Sequence, residues 1–287
     1  MSLRQHIPAR LHEASRTAYV RLGTATAGAR LAPSFIMVGA SRCGTTSLFR
    51  ALNAHPAVVR PTVNKGVRYF DLNPTKSWAW YLGHFPLRRT AQARAQGYGP
   101  PMAFEASGYY VVHPYAVPRI ATALPDVKLV AMFRDPVERA YSAWKHETAR
   151  GFEWEPFERA LELEDARMLG EVERMSRNPD YESFCHRHQS HRLRGQYADQ
   201  LERMWAHLPR DQVHVLQSEA FFAEPEHEFN RLLDFLGLPR FLPDAFDRHN
   251  ARPSSPMADS VRRRLEDHYA PYNERLEKML GEQLRWG

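Results

Sequence analysis

Phe35-Ile36-Met37-Val38-Gly39-Ala40-Ser41-Arg42-Cys43-Gly44-Thr45-Thr46-Ser47-Leu48-Phe49 is the stretch on which the fold turns. Phe35 to Val38 read as a strand. A turn bounded by Gly39 and Gly44 follows, and Leu48, Phe49 and Leu52 then open a helix at apolar spacing. A strand, a glycine-bounded turn and a helix start together make an anion site. The N–H groups of the first helical turn lack intrahelical partners, and the helix dipole favours negative charge there. Gly39 and Gly44 allow a tight backbone approach. Thr45, Thr46 and Ser47 add hydroxyl donors, and Arg42 adds a full positive charge. The two glycines have the Walker A spacing, but Thr45 stands where that motif has lysine. ATP- and GTP-cleaving enzymes need the lysine on the β/γ-phosphates, so its absence counts against a kinase or NTPase.

Outward from this loop, Lys128 to Phe133 and Val213 to Leu216 are two further apolar runs without polar alternation, and Met102-Ala103-Phe104 is a weaker one. Such runs fit strands buried on both faces of a parallel sheet. Helical patterns lie between them, at Ser47 to Asn53, Val137 to Ala149, Tyr197 to Leu208 and Pro225 to Leu236. The expected fold class is therefore α/β, a three-layer P-loop-like fold with a central parallel sheet flanked by helices. Residues 1–32 form a basic N-terminal arm, read as a surface helix and leaving room for peripheral membrane contact. Residues 33–287 form a single domain with an acidic helical insertion at about 151–190, expected to be solvated. The tail from Ser260 to Leu280 has near-helical apolar spacing, which Pro271 is expected to break.

The 287 residues suffice for a sizeable core, and the formal net charge of +6 suits an anionic ligand without naming it. The two cysteines, Cys43 and Cys185, make neither a disulfide framework nor a zinc pattern. A reducing, cytoplasmic location is the simpler expectation. No signal-peptide pattern or membrane-length apolar run is present in the N-terminal stretch.

A second motif, Arg134-Asp135-Pro136-Val137-Glu138-Arg139-Ala140-Tyr141-Ser142, follows the Lys128–Phe133 run. With the first loop it resembles the sulfotransferases that use 3′-phosphoadenosine 5′-phosphosulfate (PAPS), closest to the heparan-sulfate-type carbohydrate enzymes and their bacterial relatives. The first loop is similar to the family's G-x-x-K-x-G-T-[ST], with Arg42 in place of lysine. The second is similar to R-[DN]-P-x-x-R-x-x-S. The resemblance runs from about residue 34 to residue 282, and the two phosphate motifs are its specific part.

The resemblance implies PAPS as co-substrate, adenosine 3′,5′-bisphosphate as product and no metal. Arg42, Cys43, Gly44, Thr45, Thr46 and Ser47 would hold the 5′-phosphosulfate. Arg134 and Ser142 would grip the 3′-phosphate, as a dianion wants a guanidinium and a hydroxyl. Tyr197 lies in a late helix–strand segment that matches, and Arg252 and Ser254 lie where the family places a loop over the nucleotide. The implied function is sulfuryl transfer to an acceptor hydroxyl on a small molecule, carbohydrate or glycolipid, with no nucleic-acid partner. An ATP-using P-loop kinase or NTPase is the alternative reaction class. A catalytically degenerate nucleotide- or glycan-binding member is the non-enzymatic one.

Lys65-Gly66-Val67-Arg68-Tyr69-Phe70-Asp71 resembles the family's K-E-x-x-F-F segment, but Gly66 occupies the position of the proposed general base. Glu105, Lys65, Asp71 and His113 are the candidates to replace it. Glu105 is the first expectation, because it ends a strand on the side where α/β sites gather. Catalytic roles are thus expected for Arg42, Glu105, Lys65 and His113. Trp78, Trp80, Tyr81, Tyr109 and Tyr110 suit either a sugar platform or the core.

Overall fold

The computed structural model describes residues 9–246 and 256–286. Five strands, β1 (Pro33–Gly39), β2 (Val58–Val59), β3 (Met102–Ala106), β4 (Lys128–Phe133) and β5 (Val213–Gln217), form one sheet in the order β2-β3-β1-β4-β5. Every neighbouring pair is parallel. Phe35, Ile36, Val38, Leu129, Val130 and Met132 are fully buried, which is why the runs lack alternation. β2 was not expected, since two valines form no readable run. Phe35 and Phe104 are partners in the β1–β3 register, and their rings stack at 4.8 Å. Phe49, from the helix after β1, tilts onto Phe104 at 5.1 Å. Each buried aromatic of this kind stabilises by about 1.5–3 kcal/mol.

The four expected helices form as Thr45–Ala54, Pro136–Ala149, Tyr197–His207 and Pro225–Leu236. The second starts on a cap that its sequence announces: the Asp135 carboxylate accepts from Val137 N–H at 2.8 Å, and Pro136 takes the first helical position. β1 lies between β3 and β4, so the chain turns to opposite sides at its C-terminal end. That divergence opens the crevice where open α/β sheets bind ligands.

Two expectations are corrected. The C-terminal helix runs unbroken from Asp259 to Leu280 through Pro271. An internal proline costs roughly 3 kcal/mol, but Val261, Leu265, Tyr269 and Leu276 are buried on both sides of it and hold the helix down. The acidic insertion contains two helices, Phe157–Met168 and Glu171–Arg177, but it is not simply solvated. Phe157 and Leu161 share a small core with Val137, Ala140, Val261 and Leu265. Glu153, Glu164 and Glu171 are buried. Burial pushes the Glu153 carboxyl up, but hydrogen bonds from His191 and Arg167 outweigh it and hold the group at about 2. Glu164 accepts from the N–H groups of Arg192 and Leu193, both at 2.7 Å. These partners offset the cost of taking the acids out of water.

The basic N-terminal stretch contains a helix, Ala9–Ala25, that packs on the helix Trp78–Leu82. Tyr19 Oη donates to Thr62 Oγ1 at 2.6 Å. The seat is backbone against backbone: a Cβ at Gly23 would lie 2.2 Å from the Gly83 carbonyl oxygen. We predict that Gly23→Val lowers stability by about 1–3 kcal/mol, which is several degrees of melting temperature for a chain of this size. Gly28→Ala, whose new methyl meets nothing within 4 Å, is the control and should melt within a degree or so of wild type, within the usual range of surface changes.

Candidate active site

The Gly39–Ser47 loop sits at the end of β1, over the crevice. Gly44 caps the Thr45–Ala54 helix in the left-handed region at φ 85°, and a Cβ there would meet the Phe222 ring at 2.7 Å. Only glycine satisfies both demands. Ser41 Oγ donates to Gly108 O at 3.0 Å and ties the loop to the turn after β3. Cys43 is fully buried, and its thiol points inward to Tyr197 Oη at 3.6 Å. Burial pushes that thiol up to about 11, so Cys43 serves the loop through its backbone. Tyr197 is likewise buried, stacked on Phe133 at 4.2 Å beneath the loop rather than in the crevice.

A cavity of about 1770 Å³ opens beside the loop. Ser41, Arg42, Thr45 and Thr46 line it, as do Lys65 and Arg68 from the segment after β2. The end of the Pro136–Ala149 helix contributes Arg150, and the acidic insertion and the residues after it contribute Arg187 and Arg194. The N-terminal helix contributes Arg16 and Arg21. Two carboxylates, Asp71 and Glu147, face these cations among the lining residues. The excess of positive charge in a concave site suits an anion.

The second phosphate motif meets the first directly. Arg42 Nε donates to Ser142 Oγ at 3.1 Å, across 100 residues of chain. Arg134, partly exposed, lies 3.8 Å from Glu138, while Asp135 caps the helix. Arg252 and Ser254 lie outside the described residues.

Of the expected proton acceptors, Glu105 and His113 do not reach the cavity. Glu105 is fully buried at the end of β3. Its Oε2 accepts from Val67 N–H at 2.6 Å, and its Oε1 accepts from the hydroxyls of Tyr81 at 2.8 Å and Tyr110 at 3.3 Å. Burial pushes the carboxyl up to about 7. Glu105 is a clamp on the Lys65–Val67 strip. Ala106 N–H, donating to Lys65 O at 3.0 Å, is a second clamp on it. His113 sits behind Tyr109, its Nδ1 accepting from Tyr115 N–H at 3.1 Å, and burial drives it down to about 3. Tyr81 and Tyr110 are core; Trp80 and Tyr109 border the cavity.

Gly66 presses on the end of β3 so closely that a Cβ would lie 2.5 Å from Ala106 O. A glutamate at this position therefore has no room. Asp71, from the same segment, does line the cavity. One oxygen accepts from Leu72 N–H at 2.8 Å; the other, Oδ2, is buried without a hydrogen-bond partner among the described residues. Burial pushes Asp71 up to about 6, against the pull of Arg187 and Arg68. Glu147 is already engaged, by His188 at 2.9 Å and Arg150 at 3.2 Å.

Comparison with known proteins fits this geometry. Residues 32–252 match the family profile described as "Sulfotransferase domain". The chain belongs to the sulfotransferase domain family. Among curated relatives, heparan sulfate glucosamine 3-O-sulfotransferase 3B1 of Mus musculus is 26% identical over 296 residues, covering 91% of this chain and 66% of the relative. Heparan sulfate glucosamine 3-O-sulfotransferase 6 of Homo sapiens is 27% identical over 284 residues, covering 91% and 75%. The chain spans just under two thirds of the length of the first. The crystal structure of a sulfotransferase from Alicyclobacillus acidocaldarius superposes with a TM-score of 0.66 at 29% identity, covering 88% of this chain and 98% of that one. The sulfotransferase fold thus accounts for the sheet order and the loop after β1. Arg16, Arg21, Arg150, Arg187 and Arg194 escaped the sequence reading, because segments far apart in the chain bring them to the cavity.

The clamp role of Glu105 is testable by substitution. We predict that Glu105→Gln, which cannot accept all three hydrogen bonds, lowers unfolding free energy by about 1–3 kcal/mol, the cost of leaving a buried donor unsatisfied. Denaturant melts measure it.

Proposed function

We propose that the protein transfers a sulfuryl group from PAPS to a hydroxyl of a carbohydrate acceptor. The observation that carries this reading is the Arg42–Ser142 hydrogen bond, which joins the two phosphate motifs into one continuous grip. Such a grip suits a nucleotide phosphorylated at both 5′ and 3′ positions and has no counterpart role for ADP. Thr45 in the place of the Walker lysine adds to the case against ATP. The acceptor class follows from the curated relatives, which act on heparan sulfate glucosamine by name, and from the width and charge of the cavity beside the loop.

PAPS supplies a sulfur centre whose bond to the 5′-phosphate oxygen breaks as the acceptor oxygen bonds to it. The electron pair of the broken bond leaves on the phosphate. Thr45, Thr46 and the free N–H groups of the first helical turn hold that phosphate and stabilise the charge. Asp71 takes the acceptor proton. Asp71 lines the cavity, and its Oδ2 is buried without a hydrogen-bond partner among the described residues, so the carboxylate keeps an oxygen able to take a proton. The rival base is His84, which also lines the cavity; its Nε2 has no hydrogen-bond partner among the described residues, and burial pushes the ring down to about 4.

Turnover with PAPS and a panel of glycans, beside calorimetry of adenosine 3′,5′-bisphosphate against ADP, tests the function. Tighter binding of ADP than of the bisphosphate would refute it. For the base, Asp71→Asn is expected to cut turnover about 10²–10⁴-fold while the bisphosphate still binds. The base must be ionised to act. With Asp71 at about 6, kcat/KM for the acceptor should therefore rise as pH climbs through about 6, and this limb should vanish in Asp71→Asn. A limb centred near 4 that survives Asp71→Asn and disappears in His84→Ala assigns the proton to His84.

A further inference from the structure

The loop cation of the resembling enzymes corresponds in sequence to Arg42, but the side chains divide the work differently. Arg42 has a left-handed backbone, φ 74°. Its guanidinium is directed to Ser142 on the Pro136–Ala149 helix, the segment that also carries the 3′-phosphate motif. Lys65 comes to the loop from the other side. Its Nζ donates to Thr45 O at 3.1 Å, in the first turn of the Thr45–Ala54 helix, and lies 5.0 Å from the centroid of the Phe49 ring. An ammonium has three donor hydrogens, and that contact uses one. No carboxylate forms an ion pair with Lys65 among the described residues, and burial alone pulls it down to about 8. A mostly buried ammonium without an anion is costly, and it stands at the helix end that is to receive one.

The strip that carries Lys65 is itself fixed. The Ala106 N–H to Lys65 O bond, the Glu105 carboxylate on Val67 N–H, and Gly66 pressed on Ala106 O hold its backbone to the end of β3. The glycine that excludes a glutamate from position 66 is the residue that lets this strip approach so closely.

We propose that Lys65 is the cation facing the 5′-phosphosulfate and the oxygen on which leaving-group charge develops, and that Arg42 joins Ser142 and Arg134 in the 3′-phosphate grip. This division rests on the donor being PAPS. Lys65 then stabilises the transition state more than the bound donor, whereas Arg42 acts mainly on binding.

The test compares adenosine 3′,5′-bisphosphate with adenosine 5′-monophosphate by calorimetry, and turnover with PAPS, in wild type, Arg42→Ala, Lys65→Met and Lys65→Arg. Thermal melts confirm that each variant folds, and Lys65→Gln replaces Lys65→Met if the latter does not. Arg42→Ala should lose about tenfold or more for the bisphosphate, the usual effect of one charge-assisted bond, and little for the monophosphate. Lys65→Met should cut turnover about 10²–10³-fold, as for loss of one oxyanion donor, with a much smaller effect on affinity for either nucleotide. In wild type, kcat/KM for PAPS should fall as pH rises through about 8, where Lys65 loses its proton. Lys65→Arg, which stays charged, should recover part of the rate and lose that limb. Equal weakening of both nucleotides by Arg42→Ala, or wild-type turnover in Lys65→Met, would overturn the division. If wild-type protein binds ADP better than the bisphosphate, the donor reading itself fails and the division falls with it; the two failures are thus distinct.

Discussion

A helix N-terminus held at the end of a central, doubly buried strand is the constraint from which the rest of the molecule follows. β1 pairs with β3 on one side and β4 on the other, so its end cannot shift without disturbing the whole sheet. Gly44, left-handed and against Phe222, fixes how the chain turns from that strand into the helix. Everything that meets an anion is referred to this frame. The Lys65–Val67 strip hangs on the end of β3, and the Arg134–Ser142 segment on the end of β4. Two neighbours of one strand thereby bring two sets of donors to the same loop, at a separation set by sheet geometry rather than by side-chain flexibility.

The cavity is a case of charge arranged before its partner arrives. Cations from the loop, the strip, the N-terminal helix and the insertion converge on it, and like charges held close together are destabilising. The neighbouring carboxylates moderate this unevenly. Glu147 is engaged by His188 and Arg150, while Asp71 keeps one oxygen without a hydrogen bond among the described residues. The buried acids of the insertion, Glu153 and Glu164, serve a different end. They organise the turns that bring Arg194 and its neighbours to the cavity wall.

Most of the sheet was legible because strands buried on both faces leave continuous apolar runs, and the phosphate loop was legible because it needs glycines and hydroxyls at fixed spacing. The failures have physical causes. In β3, a strand covered on both sides, no alternation reveals which way Glu105 points, so a carboxylate at a strand end resembled a catalytic group although it is a clamp. Pro271 carries a local penalty that a sequence shows plainly, whereas the packing of Leu265, Tyr269 and Leu276 that exceeds it is tertiary. Glu153 and Glu164 looked solvated because their partners come late in the chain, His191 38 residues after the first and Arg192 and Leu193 28 and 29 after the second. The aim of Arg42 depends on a positive φ that an arginine seldom adopts.

The N-terminal helix precedes the segment that matches the family profile, which begins at residue 32, yet Arg16, Thr17, Val20, Arg21 and Thr24 form part of the cavity wall. A protein that starts at residue 32 would keep the loop after β1 and lose one wall of the cavity. The cavity of such a shortened form would be open on that side, and the cations of Arg16 and Arg21 would be gone from it.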